Sequence, residues 1–259
     1  MNRKLGIVIL STFLFVSVFC DDSRSSEESG SDSHSREERD SHNEKISLVN
    51  ANGVLDAKHI PDMNAVKELE IKNSNLKVVT SLSMPKLKKI KIEHSKFEIT
   101  AGDATDDFSS LEEIELDHAT ISSIDENTFS KLPNLKELKI ENTNIGDLKE
   151  NMFKGDVKLK EFECDRCEIH NIEVGAFNDL QALKELDLKN NKLSTFYFGK
   201  LPVLPKLEEI NLSYNPLTTI DLDKIKEKCP KLKEIGLKGV HLDASKKSEL
   251  DKLHIEVKN

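Results

Sequence analysis

The sequence predicts an α/β repeat protein, a curved solenoid or horseshoe with one parallel sheet of about ten strands on its concave side. The first observation behind this prediction is an apolar phrase, L-x-x-L-x-L-x-x-[N/S/T/C]-x-L, that occurs eight times from residue 66 onward. The second is its regular spacing, with copies that start at residues 66, 87, 111, 135, 159, 183, 207 and 232. A nearly fixed period of this length is typical of a solenoid, in which each repeat buries its apolar side chains against its neighbours.

The Leu-x-Leu part of each phrase predicts a short strand. Side chains two residues apart lie on one face of a strand, so Leu138 and Ile140 should point into the core while Lys139 points outward. Between strands, a second apolar set with irregular spacing, such as Phe129 and Leu132, predicts turns or short helical pieces. This outer arc is wider than a strand, so the stack should curve with the sheet on its concave side.

Both ends of the array can be read in the same way. Ile46 and Leu48 fit a first strand, and the segment that starts at Leu250 fits the phrase once more, with Leu253 in the strand position. The stretch 243–253 predicts a short helix, with Asp243 as its N-cap. Residues 45–259 then form the repeat domain.

The first 20 residues have the pattern of a secretory signal peptide. Arg3 and Lys4 provide a positive start, and residues 5–19 form an uncharged apolar run that ends before Cys20. This run of 15 residues is shorter than the roughly 20 that a helix needs to span a bilayer. We therefore expect cleavage after Cys20, export of the chain, and no membrane insertion of the mature protein.

Residues 21–44 should form a disordered tail. They carry nine acidic side chains and three arginines, or −6 of the net charge of −9, and no large apolar side chain. Such a segment cannot bury enough apolar surface to offset the entropy lost on folding. Serines that precede acids, as in Ser26-Glu27, also suit phosphorylation, which would add charge. A solvated spacer is the simpler interpretation.

Three cysteines remain in the expected mature chain, Cys164, Cys167 and Cys229. Cys164 stands at an inward leucine position of the phrase, and Cys167 stands at its inward polar position. We expect all three to be buried thiols that pack like small apolar residues. A disulfide between Cys164 and Cys167 is the alternative, whereas a zinc site would need two further ligands that the period does not supply.

The inward polar position varies between repeats. In order it reads Ser74, Ser95, Ala119, Thr143, Cys167, Asn191, Asn215 and Val240. Asparagine at this position can bond to neighbouring turns, and only two are present. We therefore expect the N-terminal half to be held less rigidly.

Residues that alternate with the buried ones define the exposed face of the sheet. The middle strand position reads Glu70, Lys91, Glu115, Lys139, Glu163, Asp187, Asn211 and Gly236. Its first five members alternate in sign and should lie about 5 Å apart, which predicts a ladder of cross-strand ion pairs. A second exposed position reads Asn73, His94, His118, Asn142, Arg166, Asn190, Tyr214 and Gly239.

Repeats three to five combine charge and hydrogen-bonding groups most densely. The candidate binding residues are Glu115, Asp117, His118, Lys139, Glu141, Asn142, Glu163 and Arg166. They occupy the middle of the arc, where a partner can touch the most strands. The alternative is that these charges only keep the face solvated.

Two further features lie on the same face. His94 and His118 are adjacent, and each follows a carboxylate, but neighbouring residues on one strand point oppositely, so we expect no metal site. Asn211-Leu212-Ser213 is a sequon, which makes Asn211 a candidate glycosylation site near the C-terminal end of the face.

The phrase and its period resemble the leucine-rich repeat family in its 24-residue extracellular form, over residues 43–257. With its few cysteines and Phe-x-x-Leu-Pro-x-Leu linkers, the chain is similar to small secreted animal members, arthropod ones among them, of innate immunity, saliva or venom. The resemblance implies a horseshoe and a binding role.

The leading functional interpretation is a secreted binding protein that recognises another extracellular macromolecule, a protein or a glycan, in host defence or host interaction. An inhibitor of an extracellular enzyme and a phosphorylated acidic tail that binds calcium or mineral are the alternatives. We expect no enzyme and no cofactor, because G-x-S-x-G, P-loop and H-E-x-x-H motifs are missing from the sequence. The negative net charge and the lack of a basic stripe argue against nucleic acid.

Overall fold

The computed structural model describes residues 17–19, 44–55, 60, 62–78, 84–99, 108–121, 129 and 132–258. The expected signal peptide and acidic tail lie outside these residues, apart from residues 17–19 and 44. Their assignment therefore stays a prediction.

The described residues form 17 strands, two α-helices and one 3₁₀ turn. In chain order the strands are β1 (Ser17–Phe19), β2 (Lys45–Val49), β3 (Asn52–Leu55), β4 (Glu68–Lys72), β5 (Asn75–Val78), β6 (Lys89–Glu93), β7 (Lys96–Ile99), β8 (Glu113–Asp117), β9 (Thr120–Ile121), β10 (Glu137–Glu141), β11 (Glu161–Asp165), β12 (Glu185–Asp187), β13 (Thr195–Tyr197), β14 (Glu209–Asn211), β15 (Thr219–Asp221), β16 (Glu234–Gly236) and β17 (Glu256–Lys258). The helices are α1 (Ile225–Lys228) and α2 (Ala244–Lys252), and the 3₁₀ turn is Phe198–Lys200.

The main sheet confirms the predicted architecture. Its strand order is β1-β2-β4-β6-β8-β10-β11-β12-β14-β16-β17. The ten strands from β2 to β17 pair in parallel, and β1 pairs antiparallel with β2 at one edge. Leu138, for example, lies between Ile114 and Phe162 of the neighbouring strands. At about 4.8 Å per strand, nine steps along the sheet span roughly 43 Å.

The predicted position of the last strand is wrong by four residues. The phrase places Leu253 opposite Ile235, but Val257 lies there in the structure. Helix α2 continues to Lys252, and His254 takes a left-handed conformation with φ of 54°. Extended backbone therefore begins only after this turn.

The linkers between main-sheet strands are more extended than the sequence predicts. In the first four units they form a second parallel sheet, β3-β5-β7-β9, and further along β13 pairs with β15. These segments follow the main strands at the same interval, so stacked repeats bring them into register and their backbone groups pair. The expected short helical pieces occur at the 3₁₀ turn and at α1.

The predicted inside and outside of the strands are confirmed. Leu138 and Ile140 are fully buried, whereas the side chain of Lys139 is partly exposed. One apolar core runs through the described repeats from Ile46 to Ile255.

A stack of phenylalanines lies in the linker layer. Phe153 stacks between Phe129 and Phe177, with ring centroids 5.6 and 6.3 Å away, and meets the edge of Phe162 at 4.9 Å. The 24-residue interval between the three stacked rings keeps them in one line along the solenoid.

One core position carries an acid. Three residues before each phrase, the other repeats have an apolar side chain: Met63, Met84, Phe108, Leu132, Leu180, Leu204 and Cys229. Repeat five has Asp156 there, only 1% exposed, and neither carboxyl oxygen has a hydrogen-bond partner among the described residues. Burial, with a further contribution from Asp179, raises the pKa of Asp156 to about 8.

The inward polar column forms more hydrogen bonds than the sequence predicts. Asn191 accepts from the backbone N–H groups of Cys167 and Ile169 and donates to the carbonyl of Cys164. The inference that this column bonds to neighbouring turns only at its two asparagines is wrong, because hydroxyl side chains continue this ladder of hydrogen bonds. The hydroxyl of Ser74 accepts from Ala51 N–H, because a hydroxyl offers both a donor and acceptor lone pairs.

The same role is filled at two further repeats. Ser95 accepts from Ser74 N–H, and Thr143 accepts from Ala119 N–H, each at 3.0 Å. Each hydroxyl also donates to the carbonyl two residues earlier. Ser74, Ser95 and Thr143 therefore bind fewer backbone groups than an asparagine does, but they continue the ladder into the N-terminal half.

The three described cysteines are buried free thiols, as expected. Cys164 takes the inward leucine position of β11, and Cys167 follows at the polar position, with its Sγ 3.3 Å from the carbonyl of Ile140. Burial raises the pKa of Cys164 well above its usual value and that of Cys229 to about 12. Both thiols are therefore protonated and poor nucleophiles.

The predicted C-terminal helix is confirmed with its cap. Asp243 precedes α2 in an extended conformation, and its Oδ1 accepts a hydrogen bond of 2.8 Å from Lys246 N–H. Helices α1 and α2 have 4 and 9 residues, and no helix within the described ranges combines the length and apolar composition that crossing a bilayer requires.

Candidate binding surface

The outward side chains of the ten parallel strands form one exposed surface, here named the sheet face. They fall into three columns across the sheet. The middle column contains Glu115, Lys139 and Glu163, three of the candidate binding residues. The third column lies at the strand ends and contains Asp117 and Glu141.

The first column is almost entirely acidic, and the sequence reasoning missed it. It reads Lys45, Glu68, Lys89, Glu113, Glu137, Glu161, Glu185, Glu209, Glu234 and Glu256. We name its members from Glu113 onward the glutamate column. The sequence does contain this pattern, since nearly every phrase has Glu directly before its second apolar position.

The remaining candidates lie in the turn after each strand. We name Asn50, Asn73, His94, His118, Asn142, Arg166, Asn190 and Tyr214 the turn column. All eight residues have positive φ, between 47° and 58°. The backbone thus leaves the strand in a left-handed conformation, which ends the alternation of side-chain directions along the strand. The side chains of His118, Asn142, Arg166 and Asn190 contact aspartates at the strand ends.

This geometry overturns the reason given for expecting no metal site. His118 does not point away from its strand neighbour, because its Nδ1 lies 2.7 Å from Oδ1 of Asp117. One nitrogen from His94, one from His118 and one oxygen of Asp117 all lie within 4.8 Å of one another.

The eight candidate binding residues come together on β8, β10 and β11 and in the turns that follow them. Four of them, Glu115, Asp117, Lys139 and Glu141, line a shallow recess of about 180 Å³, together with Lys91, Ile92, Glu93 and Leu116. The recess therefore crosses three neighbouring strands, β6, β8 and β10.

The predicted ladder of ion pairs along the middle column is mostly absent among the described residues. Lys91 does meet Glu115, at 3.2 Å, but Lys139 binds two members of the first column, Glu137 at 2.5 Å and Glu161 at 3.2 Å. The unforeseen glutamate column explains this difference at Lys139, since it places one carboxylate on the same strand and one on the next strand.

Lysines neutralise the sheet face in its N-terminal half. Lys89 lies 2.7 Å from Glu113 and 2.8 Å from Glu115. Burial alone would raise the pKa of Glu115, but hydrogen bonds and charge attraction from Lys89 and Lys91 outweigh it and lower the pKa to about 2. This carboxylate is therefore ionised at neutral pH.

The middle and the C-terminal half retain uncompensated negative charge. Glu185 and Glu209 have no ion pair with any described residue, and burial followed by neighbouring acids raises the pKa of both. The nearest described cation to Glu141 is Arg166, at 3.9 Å. Burial and nearby acids raise the pKa of Glu141 as well. The side chain of Glu141 is 41% exposed, so a cation from outside can reach it.

A chain of hydrogen bonds joins the turn column to the third column. Asn142 Nδ2 donates to Asp117 Oδ1 at 2.8 Å, and Arg166 Nε donates to Asn142 Oδ1 at 2.5 Å. Arg166 also pairs at 2.9 Å with Asp165, whose side chain is almost completely buried. Arg166 thus stabilises the edge of the sheet, in addition to any contact that it makes with a partner.

Asn211, the candidate glycosylation site, is held within the sheet face at β14. Its Nδ2 donates to Asp187 at 3.1 Å, and its Oδ1 accepts from Ser213 N–H at 3.1 Å. A Cβ atom at position 236 would lie 2.5 Å from Asn211 Oδ1, so Gly236 provides the space for this side chain.

The repeats match a known family. A family model described as "Leucine rich repeat" matches residues 109–163 and 157–217. Comparison with curated proteins finds no match.

Two solved structures have a backbone similar to that of this chain. One is an internalin (inlF) from Listeria monocytogenes str. 4b F2365, with a TM-score of 0.54 and 20% identity over 79% of this chain and 64% of that chain. This chain thus covers less than two thirds of the internalin. The other is described as an octameric complex of Latrophilin 3, Unc5D and FLRT2 (LRR), with a TM-score of 0.49 and 17% identity over 76% of each chain.

At such identities the internalin match supports the fold alone. The family match coincides with the regular 24-residue units and with the parallel strands β8 to β14. The chain therefore folds as a leucine-rich repeat solenoid, and residues 109–217 match the family model itself.

Proposed function

We propose that this chain is a secreted binding protein whose sheet face, over β6 to β11, docks an extracellular protein. The observation that carries the proposal is the recess lined by Glu115, Asp117, Lys139 and Glu141. It combines ionised groups of both signs with carboxylates that lack a close cation, and it spans several strands of a rigid sheet. Binding residues are most effective when a rigid scaffold holds them in this way.

The charge pattern indicates the partner's chemistry. Glu141 and the unpaired members of the glutamate column can each accept a lysine or arginine from outside. A partner with a basic patch would therefore find complementary potential along the sheet face, which favours fast and specific association. A glycan partner, by contrast, would depend on the neutral hydrogen-bonding groups of the turn column.

We also propose that the chain binds its partner without catalysing a reaction. The leucine-rich repeat family that residues 109–217 match, together with a sheet face that offers charged side chains in regular columns, supports binding. A place in host defence or host interaction rests on the resemblance to small secreted animal members of the family.

The docking test is a charge reversal that the fold should tolerate. Glu141→Lys removes an exposed carboxylate that has only one distant ion pair, so the thermal midpoint should stay within about 2 °C of the unchanged chain. Glu249→Lys, on the exposed side of α2, is the matched control. Each chain serves as bait for extracellular fluid, and retained proteins are identified by mass spectrometry.

We expect a protein that the unchanged chain and the Glu249→Lys variant retain and that binds the Glu141→Lys variant at least tenfold more weakly, about 1.4 kcal/mol. Equal retention by all three chains would overturn docking at the recess. A partner lost only on deletion of residues 21–44 would assign binding to the acidic tail instead.

Secretion and glycosylation have a separate test, the intact mass of chain exported from eukaryotic cells. We expect a mature protein that begins at Asp21, which would remove β1 and leave β2 as the edge of the sheet. A glycan on Asn211, detected as mass lost on enzymatic deglycosylation, would cover the C-terminal end of the sheet face and leave the recess open. Retention of residues 1–20 would contradict the signal peptide.

A further inference from the structure

We propose that His94, Asp117 and His118 bind one Zn²⁺ ion, or a similar divalent transition-metal ion, at the edge of the sheet face. This inference does not depend on the proposed partner or on secretion.

The three side chains are close enough to share an ion. One donor atom from each lies within 4.8 Å of the others. Donors about 2.1 Å from a tetrahedral Zn²⁺ ion lie roughly 3.4 Å apart, so the widest separation needs to close by an ångström or so, and the contact of 2.7 Å between His118 Nδ1 and Asp117 Oδ1 needs to open. His94 is exposed and the side chain of His118 is 51% exposed, so both imidazole rings can rotate by that amount without disturbing the core.

The backbone fixes where the two histidines lie. His94 follows β6 and His118 follows β8, which are adjacent strands. Both residues are left-handed, with φ of 47° and 48°, and His94 N–H bonds to the carbonyl of Asp117 at 2.9 Å. The distance between the rings, 4.5 Å between centroids, therefore follows from the strand spacing and not from a loose loop.

The carboxylate is also held in place. Asn142 Nδ2 donates to Asp117 Oδ1 at 2.8 Å, which is the kind of outer contact that orients metal ligands. Asp117 has Glu93 and Glu141 as its register neighbours on the adjoining strands. Lys72 and Lys91 pair with Glu93, at 3.1 and 2.9 Å, whereas Glu141 has no close cation among the described residues. Asp117 and Glu141 therefore leave a negative potential that favours a dication.

The donor set selects the class of ion. Two imidazoles and one carboxylate suit Zn²⁺ and its neighbours in the first transition series, whereas Ca²⁺ prefers six or more oxygens. Three protein ligands leave a fourth tetrahedral position open toward solvent. The other described histidines, His170, His241 and His254, belong to no such group within the described ranges.

The test is a titration of the full chain with ZnCl₂, followed by calorimetry and, with Co²⁺, by visible absorption. We expect one site for the unchanged chain. His94→Gln and His118→Gln should each raise its Kd at least tenfold, while the matched control His170→Gln, at an exposed histidine elsewhere, should change it less than twofold. Saturating Zn²⁺ should also raise the thermal midpoint of the unchanged chain and not of the double variant.

Thermal midpoints in EDTA show whether each variant is folded, and Asp117→Asn provides a third ligand substitution if either glutamine variant is not. Zn²⁺ binding that is equal in the unchanged chain and in the His94→Gln/His118→Gln double variant would place the ion elsewhere, for instance on the histidines of the acidic tail, and overturn the proposal. So would the lack of any binding by the unchanged chain at about 100 μM Zn²⁺, a concentration at which a three-ligand site should be filled.

Discussion

Replacement of Asp156 by leucine should make the protein considerably more stable at neutral pH. Every other repeat has an apolar side chain at this position, and the carboxyl group of Asp156 is buried without a hydrogen bond among the described residues. Leu159 N–H bonds to the carbonyl of Asp156 as Leu183 N–H does to that of Leu180, so the backbone turn already suits leucine.

The magnitude follows from the pKa of Asp156, which is about 8 in the folded protein against an ordinary 3.8. At pH 7 the unfolded chain has released the proton, whereas the folded chain still holds it. Keeping that proton over about three pH units costs about 4 kcal/mol, at about 1.4 kcal/mol per unit. Leucine removes this cost and adds about 2 kcal/mol of apolar burial, part of which is offset by its larger volume.

The sign of the pH dependence distinguishes this mechanism from simple packing. A raised folded-state pKa gives the unchanged protein its full stability below about pH 4, and that stability is lost as the pH rises toward 8. The difference in unfolding free energy between Asp156→Leu and the unchanged chain should therefore grow by about 1.4 kcal/mol per pH unit from pH 5 to pH 8 and then level off.

Urea unfolding at pH 5, 6, 7 and 8 measures this difference. Asp156→Asn is the control, since it has the shape of aspartate and does not titrate. It should show the same loss of pH dependence without the apolar gain. A difference between Asp156→Leu and the unchanged chain that is constant from pH 5 to pH 8 would refute the reasoning, because it would mean that Asp156 is already ionised in the folded protein.

Three other predictions concern the core. Leu138→Asp should cost several kcal/mol, because it buries a charge, whereas Lys139→Gln, one residue away on the sheet face, should cost about 1 kcal/mol or less; comparable losses on denaturant unfolding would contradict the inside–outside assignment. Asn191→Ala leaves buried backbone groups unpaired and should cost roughly 3 kcal/mol, against about 1 kcal/mol for Ser74→Ala, as measured by the same unfolding assay. Cys229, buried with a pKa of about 12, should react with a thiol reagent only as the protein unfolds, and rapid labelling of the native chain would show that it is accessible.

Much of the fold could be predicted from the sequence because every unit of the solenoid carries the same apolar pattern. The Leu-x-Leu alternation around Leu138 occurs in every unit, so burial of one residue implies burial of its equivalents. The N-cap at Asp243 was equally readable, because its side chain bonds locally to Lys246. The register of Val257 could not be predicted, since it depends on where helix α2 ends.

The candidate surface was harder to predict because it depends on backbone conformation and on neighbours one repeat away. Residues of the turn column follow a strand, and strict alternation would point His118 away from Asp117. The left-handed turn at His118 is a three-dimensional property that no single repeat makes obvious. Similarly, the partners of Lys139 became clear only when Glu137 and Glu161 were seen on either side of it.

The first column of the sheet face gives the two halves of the sheet opposite responses to ionic strength. Near the N-terminus, lysines alternate with glutamates, as at Lys45 and Glu68, and added salt weakens that attraction. From β11 to β14, Glu161, Glu185 and Glu209 stand side by side, and added salt relieves their repulsion. Repeats in a solenoid contact only their neighbours, so unfolding can start at either end. The salt concentration of the surrounding fluid would therefore shift the relative stability of the two halves of the sheet.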